Sequence, residues 1–246
     1  MTNALHARGP APEHDRSEVD GPVLVGCSHG TDDADGRAAV RSILTGVSAF
    51  RPDLDVREAF VDVQQPEVGD VVAHALDGDA SGAVVVPLLL SVGFHVKVDI
   101  ATAVDQPGAT AAAPLGPDPR LVDILVDRLE AAGLGADDSV VLAAAGSTDP
   151  AAALAVETIA AGLADRIEQP VTIGYGAGAE PRVPAAVASA RADTPPGGRV
   201  VVASYLLAPG YFYDRVQEAG ADVVTAPLAP DDRLVHIVLD RYDAAT

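Results

Sequence analysis

Lysine is nearly missing from this chain: the 246 residues contain one, Lys97, and 16 basic residues in all against 36 acidic ones. A net charge of −20 works against nucleic-acid binding, because phosphate contacts need clustered Lys and Arg, so nucleic acid is not an expected partner. The acid excess fits a solvated surface that maintains solubility. Cysteine is equally scarce: Cys27 stands alone, which rules out a disulfide framework within the chain and agrees with a reducing compartment. No apolar run approaches the roughly 20 residues that cross a bilayer, so no membrane partner is expected. The opening stretch MTNALHARGPAPEHDRSEVDG has no continuous apolar segment of the secretory kind. Residues 1–20 therefore read as a flexible tail, and a cytoplasmic location is expected.

What the chain does have is Val, Ile and Leu in short runs that alternate with segments of helical period, the pattern of an α/β fold with parallel sheets. In the first half the runs predict strands at Pro22–Cys27, Asp55–Val61, Ala83–Leu89 and Ala109–Ala113. Helices are predicted at Ala34–Phe50, Pro66–Leu76, His95–Val104 and Pro119–Ala132. The second half repeats the order, with strands at Ser139–Ala144, Val171–Gly174, Arg199–Leu206 and Asp222–Thr225. Its helices are predicted at Pro150–Ile167, Pro181–Ala190, Pro209–Ala219 and Pro230–Tyr242. Several open on Pro, whose missing N–H costs nothing in a first turn.

The repeat is an internal duplication. APLGPDPRLVDILVDRL (113–129) and APLAPDDRLVHIVLDRY (226–242) are identical at 11 of 17 positions without a gap. VVVPLLLSVG (84–93) matches VVVASYLLAPG (200–210), and VLVGCSHGT (23–31) matches VVLAAAGST (140–148). The expectation is two tandem parallel-sheet domains, 21–135 and 136–246, facing each other about a pseudo-twofold axis in a single chain that functions as a monomer. Ligands of open parallel sheets bind beyond the carboxyl ends of the strands, so the cleft between the halves is the expected site.

The residues just after those strands carry the candidate chemistry. Ser28-His29-Gly30-Thr31 follows the first strand, and Gly93-Phe94-His95 with Lys97 follows the third. Asp62 follows the second. Two imidazoles and a carboxylate suit a divalent first-row metal, and neutral imidazoles also accept protons near neutral pH. The second copy is an internal control, because Ala145 stands where His29 stands and Phe212 where His95 stands. A scaffold that survives without the imidazoles does not need them for folding, which makes a functional role the better reading. His6 and His14 fall in the tail, and His74 and His236 on predicted helices. Cys27 ends a strand, where burial is the usual fate. Gly174-Tyr175-Gly176-Ala177-Gly178 lacks both the full spacing and the lysine of a nucleotide loop.

These motifs resemble the sirohydrochlorin chelatases of the class II chelatase group in their long two-domain form. The likeness is carried by SHGT (28–31), AFVDVQQP (59–66), VVVPLLLSVGFHVKVDI (84–100), APLGPDPRL (113–121), AAAGSTDP (143–150) and VVVASYLLAPGYFYDRV (200–216). It implies tandem chelatase-like, flavodoxin-like domains with the active site between them, and insertion of a divalent metal into sirohydrochlorin, an octacarboxylate tetrapyrrole. His29 and His95 would bind the metal and take the pyrrole protons, and Asp62, often Glu in the family, would be a third ligand. Ser28, Gly93, Phe94 and Lys97 would hold the substrate, with Arg215 a further cation. No organic cofactor is implied; Fe²⁺ or Co²⁺ enters as substrate. The leading expectation is a ferrochelatase producing sirohaem. The alternatives are a cobaltochelatase of cobalamin synthesis and a non-catalytic tetrapyrrole or metal carrier. A periplasmic-type binding protein, also two-lobed, fits less well without a secretory segment.

Overall fold

The computed structural model describes residues 21–78, 80–91, 93 and 96–246. The first half runs β1 (Val23–Ser28), α1 (Ala34–Phe50), β2 (Val56–Phe60), α2 (Val68–Leu76) and β3 (Ala83–Pro87). A π-helical turn (Val96–Ile100) follows and runs into the short α3 (Ala101–Ala103), then β4 (Ala109–Ala111) and α4 (Pro119–Ala131). The second half runs β5 (Ser139–Ala144), α5 (Pro150–Ala164), β6 (Val171–Tyr175), α6 (Val183–Asp193), β7 (Val200–Tyr205), α7 (Tyr211–Gln217), β8 (Val223–Val224) and α8 (Asp232–Asp243).

All pairings are parallel, in the orders β2-β1-β3-β4 and β6-β5-β7-β8. Both central strands are buried along their full length, as unbroken apolar runs in a two-sided sheet must be. The order reverses between the two strands that flank each central one. The switch point thus lies between the loops leaving β1 and β3, where a flavodoxin-like sheet takes its ligand.

Helix starts are set by aspartates. Asp33, Asp118, Asp149 and Asp231 are extended residues whose carboxylates accept backbone N–H bonds from Gly36, Arg120, Ala151 and Arg233. Pro119 and Pro150 occupy the first turn as expected. Pro66, Pro181, Pro209 and Pro230 do not open their helices. Glu67 (ψ 147°), Arg182 (ψ 151°) and Asp231 (ψ 134°) are still extended after the first, second and fourth of these, and Gly210 has φ 138°, so each helix begins further on. The predicted helix at His95–Val104 is also corrected: over its described residues it is a π-helical turn joined to three α-helical residues.

The strand register moves one of the sequence pairings by a residue. Gly30 and Gly146 share φ near +90° (90° and 85°). Asp33 and Asp149 share the capping role, each donating its N–H to a hydroxyl two residues back, Thr31 Oγ1 and Ser147 Oγ, both at 3.1 Å. Val23 therefore corresponds to Ser139 rather than Val140, and His29 to Ala145.

One apolar core joins the halves. The inner faces of both sheets, through Leu24, Val84, Val86, Leu142, Ala203 and Tyr205, bury against α1, α4, α5 and α8. Separate clusters lie under α2 with α3 and under α6 with α7. Polar contacts between the halves are reciprocal. Arg128 donates to the carbonyls of Pro227, Leu228 and Pro230, and its counterpart Arg241 to those of Pro114 and Leu115. The bonds to Pro227 and Leu228 recur at Pro114 and Leu115 with the halves exchanged, as in an isologous interface, whereas the bond to Pro230 is made by Arg128 alone.

Candidate active site

The carboxyl ends of the two sheets face each other across a cavity of about 900 Å³. That is near the top of the ~300–1,000 Å³ usual for small-molecule sites. Loops leaving β1, β2 and β3 form one wall, and loops leaving β5 and β7, with the end of β6, the other.

His29 is the first residue after β1, is exposed, and lines the cavity beside the buried Ser28. Its loop is anchored to the next one. Gly30 turns at φ +90°, so close to the β2 loop that a Cβ there would stand 3.0 Å from the Asp62 carbonyl oxygen and 3.1 Å from Gln64 N. The amide of Thr31 donates to Gln64 Oε1 at 2.9 Å.

Asp62 is exposed, and its carboxylate accepts the Val63 N–H at 2.8 Å. Its neighbours Val63 and Gln64 line the cavity, as does Gly93 on the β3 side. Phe94, His95 and the side chain of Lys97 lie outside the described residues. Among the described residues, no three His, Cys, Asp or Glu side chains are grouped closely enough to hold a metal ion.

Other sequence candidates separate cleanly. Cys27 is fully buried; burial, with the charge of Asp99 adding to it, pushes its thiol up to about 12, so it stays protonated and is a poor metal ligand. His74 and His236 are exposed on α2 and α8, the latter edge-on to Phe50 at 4.8 Å. Arg215 sits over the Tyr211 ring at 5.3 Å and pairs with Glu218 at 3.1 Å.

Two features escaped the sequence reading. The chain has nine aromatic residues, and among the described residues six line the cavity: Phe60, Tyr175, Tyr205, Tyr211, Phe212 and Tyr213. Five of these come from the second half, so the wall without imidazoles is an aromatic one. Phe212 packs so closely on the β6 loop that a Cβ at Gly176 would lie 2.8 Å from its ring. Tyr205 is buried, and its hydroxyl donates to the Leu90 carbonyl at 3.1 Å. Burial, with Asp118 adding to it, raises its pKa, so the hydroxyl remains a donor. The run YFYD after β7 is visible in the sequence, but only the fold places it on the same cavity as His29. The second feature is Arg37, from the first turn of α1, which also lines the cavity.

Flat aromatic walls and imidazole suit a planar conjugated ligand that exchanges protons or takes up a metal. The family model of CbiX matches residues 23–132 and 139–245, one copy per half. A "Sirohydrochlorin cobaltochelatase" of Sulfolobus acidocaldarius is 33% identical over 81 residues, covering 31% of this chain and 66% of that protein. A "Sirohydrochlorin ferrochelatase" of Priestia megaterium is 28% identical over 177 residues, covering 68% of this chain and 66% of that protein. This chain thus spans just under two thirds of the length of each. Among solved structures, "SirB from Bacillus subtilis with Fe3+" superposes with a TM-score of 0.77 at 20% identity, over 91% of this chain and 94% of the other. "The structure of CbiX, the terminal Enzyme for Biosynthesis of Siroheme in Denitrifying Bacteria" gives 0.62 at 20% identity, over 91% and 99%. With the family model matched in both halves and the fold shared over nine tenths of the chain, this protein belongs to the CbiX family.

Proposed function

We propose that the protein is a sirohydrochlorin chelatase, a lyase-class enzyme that inserts a divalent metal into the macrocycle in the cleft between its halves. The observation that carries this reading is the asymmetry of the cleft: an imidazole edge at His29 on one side, and on the other an aromatic wall from the ends of β6 and β7 and the first turn of α7.

Metallation must remove two pyrrole N–H protons while the incoming metal sheds its own ligands. A neutral imidazole serves either step, as a proton acceptor or as a transient ligand. His29 and His95 are proposed for both tasks, with Asp62 as a third, weaker ligand. Ser28, Gly93, Phe94 and Lys97 are proposed to hold the macrocycle. The aromatic faces of Tyr211, Phe212 and Tyr213 offer it stacking area and exclude water, which strengthens every polar interaction inside. The metal is a substrate, and no organic cofactor enters the scheme.

Fe²⁺ is the proposed metal and sirohaem the product, with Co²⁺ as runner-up, since the relatives carry both names. The proposed unit is a cytoplasmic monomer of two domains, 21–135 and 136–246, after a tail of residues 1–20. Purified protein given sirohydrochlorin with Fe²⁺, Co²⁺ or Ni²⁺ in turn tests the reading by following the macrocycle's absorption. Acceleration over the uncatalysed rate, largest with Fe²⁺, is expected. No acceleration with any metal overturns it.

A further inference from the structure

We infer that Arg37 is the carboxylate anchor of the cleft, pairing with an acidic side chain of the macrocycle and so acting in substrate recognition rather than in proton or metal transfer. The inference rests on the proposed tetrapyrrole substrate, whose eight carboxylates meet a protein of net charge −20. Local cations must offset that repulsion.

The cavity lining offers few. Its described charged residues are Asp32, Asp33, Glu58 and Asp214 against a single guanidinium, Arg37. Arginines nearby are already neutralised: Arg41 by Glu58 at 2.9 Å, Arg182 by Glu180 at 3.1 Å, and Arg215 by Glu218 at 3.1 Å. Arg37 differs. Its hydrogen bonds among the described residues run from Nη1 to the carbonyl oxygens of Thr31 (3.4 Å) and Asp32 (3.2 Å). Those bonds hold the side chain beside the His29 loop without cancelling its charge, and among the described residues neither Nε nor Nη2 makes a hydrogen bond. Arg128 also bonds only to carbonyls, but at the seam between the halves, away from the cavity.

Arg37 stands in the first turn of α1, at the positive end of the helix dipole, where cations are disfavoured. A planar guanidinium with a free N–H edge is the group best matched to a carboxylate. The competing role is a clamp on the Thr31–Asp32 loop.

Arg37→Gln keeps an N–H donor for the carbonyls and removes the charge; Arg37→Lys keeps the charge. Steady-state metallation and direct titration of sirohydrochlorin against protein fluorescence give the readouts. For Arg37→Gln, KM and Kd for sirohydrochlorin are expected to rise about tenfold, with kcat and the KM for metal within about twofold. Arg37→Lys should recover most of the loss, and high salt should narrow the difference. Unchanged substrate KM and Kd in Arg37→Gln overturns the inference. So does an equal loss in both variants, which would make Arg37 a loop clamp. If the unaltered protein neither binds nor metallates sirohydrochlorin, the functional reading fails and this inference falls with it.

Discussion

Arg120 Nη1 lies 2.6 Å from Asp240 Oδ2, and the same contact recurs with the halves exchanged, Arg233 Nη2 lying 2.7 Å from Asp127 Oδ2. Each arginine is also clamped side-on by its own half's capping aspartate, Asp118 or Asp231. The outer carboxylates are more than half exposed, at 60% and 57%, whereas Asp118 is only 6% exposed and also holds Arg241. Replacing Asp240 or Asp127 by Asn should cost under about 1 kcal/mol each, near equally, as exposed pairs do. Asp118→Asn should cost about 3 kcal/mol, because it strips a buried partner from two arginines. Urea denaturation of the three variants checks the ranking.

Gly36 sets how closely the halves approach at the cleft. A Cβ there would lie 2.4 Å from the Pro209 carbonyl oxygen, in the loop that leads to the aromatic wall. Gly36→Ala gains helix propensity but must push that loop away, for a net loss of about 2 kcal/mol and slower metallation. Gly69 on α2 has nothing within 4 Å of its Cβ position, so Gly69→Ala should stabilise by about 0.5–1 kcal/mol. Thermal unfolding of the two variants reads the contrast.

Asp138 ties the start of β5 to β7. Its carboxylate accepts from the Arg199 guanidinium at 2.6 Å, and from the amides of Gly135 and Arg199 at 2.8 Å each. The Arg199 bond does most to hold its pKa down to about 2 against the cost of burial, and the two amides add to it. A carboxyl with a depressed folded-state pKa contributes stability above its unfolded value, near 4, and loses it as pH falls through the folded one. Asp138→Asn should therefore be less stable by about 2 kcal/mol at pH 7, and the gap should close between pH 4 and 2. Denaturation midpoints of both proteins across that range check it.

Much of this architecture was legible in the chain. Runs such as Val84–Val86 and Val200–Val202 marked buried parallel strands, and the repeated APL…PD…RLV segments marked the two copies. Helix starts were legible where an aspartate directly precedes Pro, as at Asp118-Pro119 and Asp149-Pro150. They were misplaced at Pro66, Pro181 and Pro230, because whether a proline opens a helix or ends the preceding turn depends on the backbone of the residue that follows it. In the site, His29 was legible because strand-end position is a sequence property. Arg37 was not, since its significance is that its neighbours in space leave its charge unspent. The aromatic wall was hidden for a similar reason: Tyr175, Tyr205 and Phe212 are far from His29 in the chain and share a cavity with it only in the folded protein.

In the proposed scheme the first half's imidazoles perform metallation while the second half supplies a wall. The direct measurement is the initial rate of Fe²⁺ or Co²⁺ insertion into sirohydrochlorin by His29→Ala and His95→Ala, beside Ala145→His as a control in the other half. Each histidine variant should lose at least about a hundredfold in kcat, the usual scale of a lost general base, while circular dichroism and thermal unfolding stay unchanged. Ala145→His should leave the rate within about twofold. Unaltered rates in both histidine variants, with the fold intact, would contradict the claim.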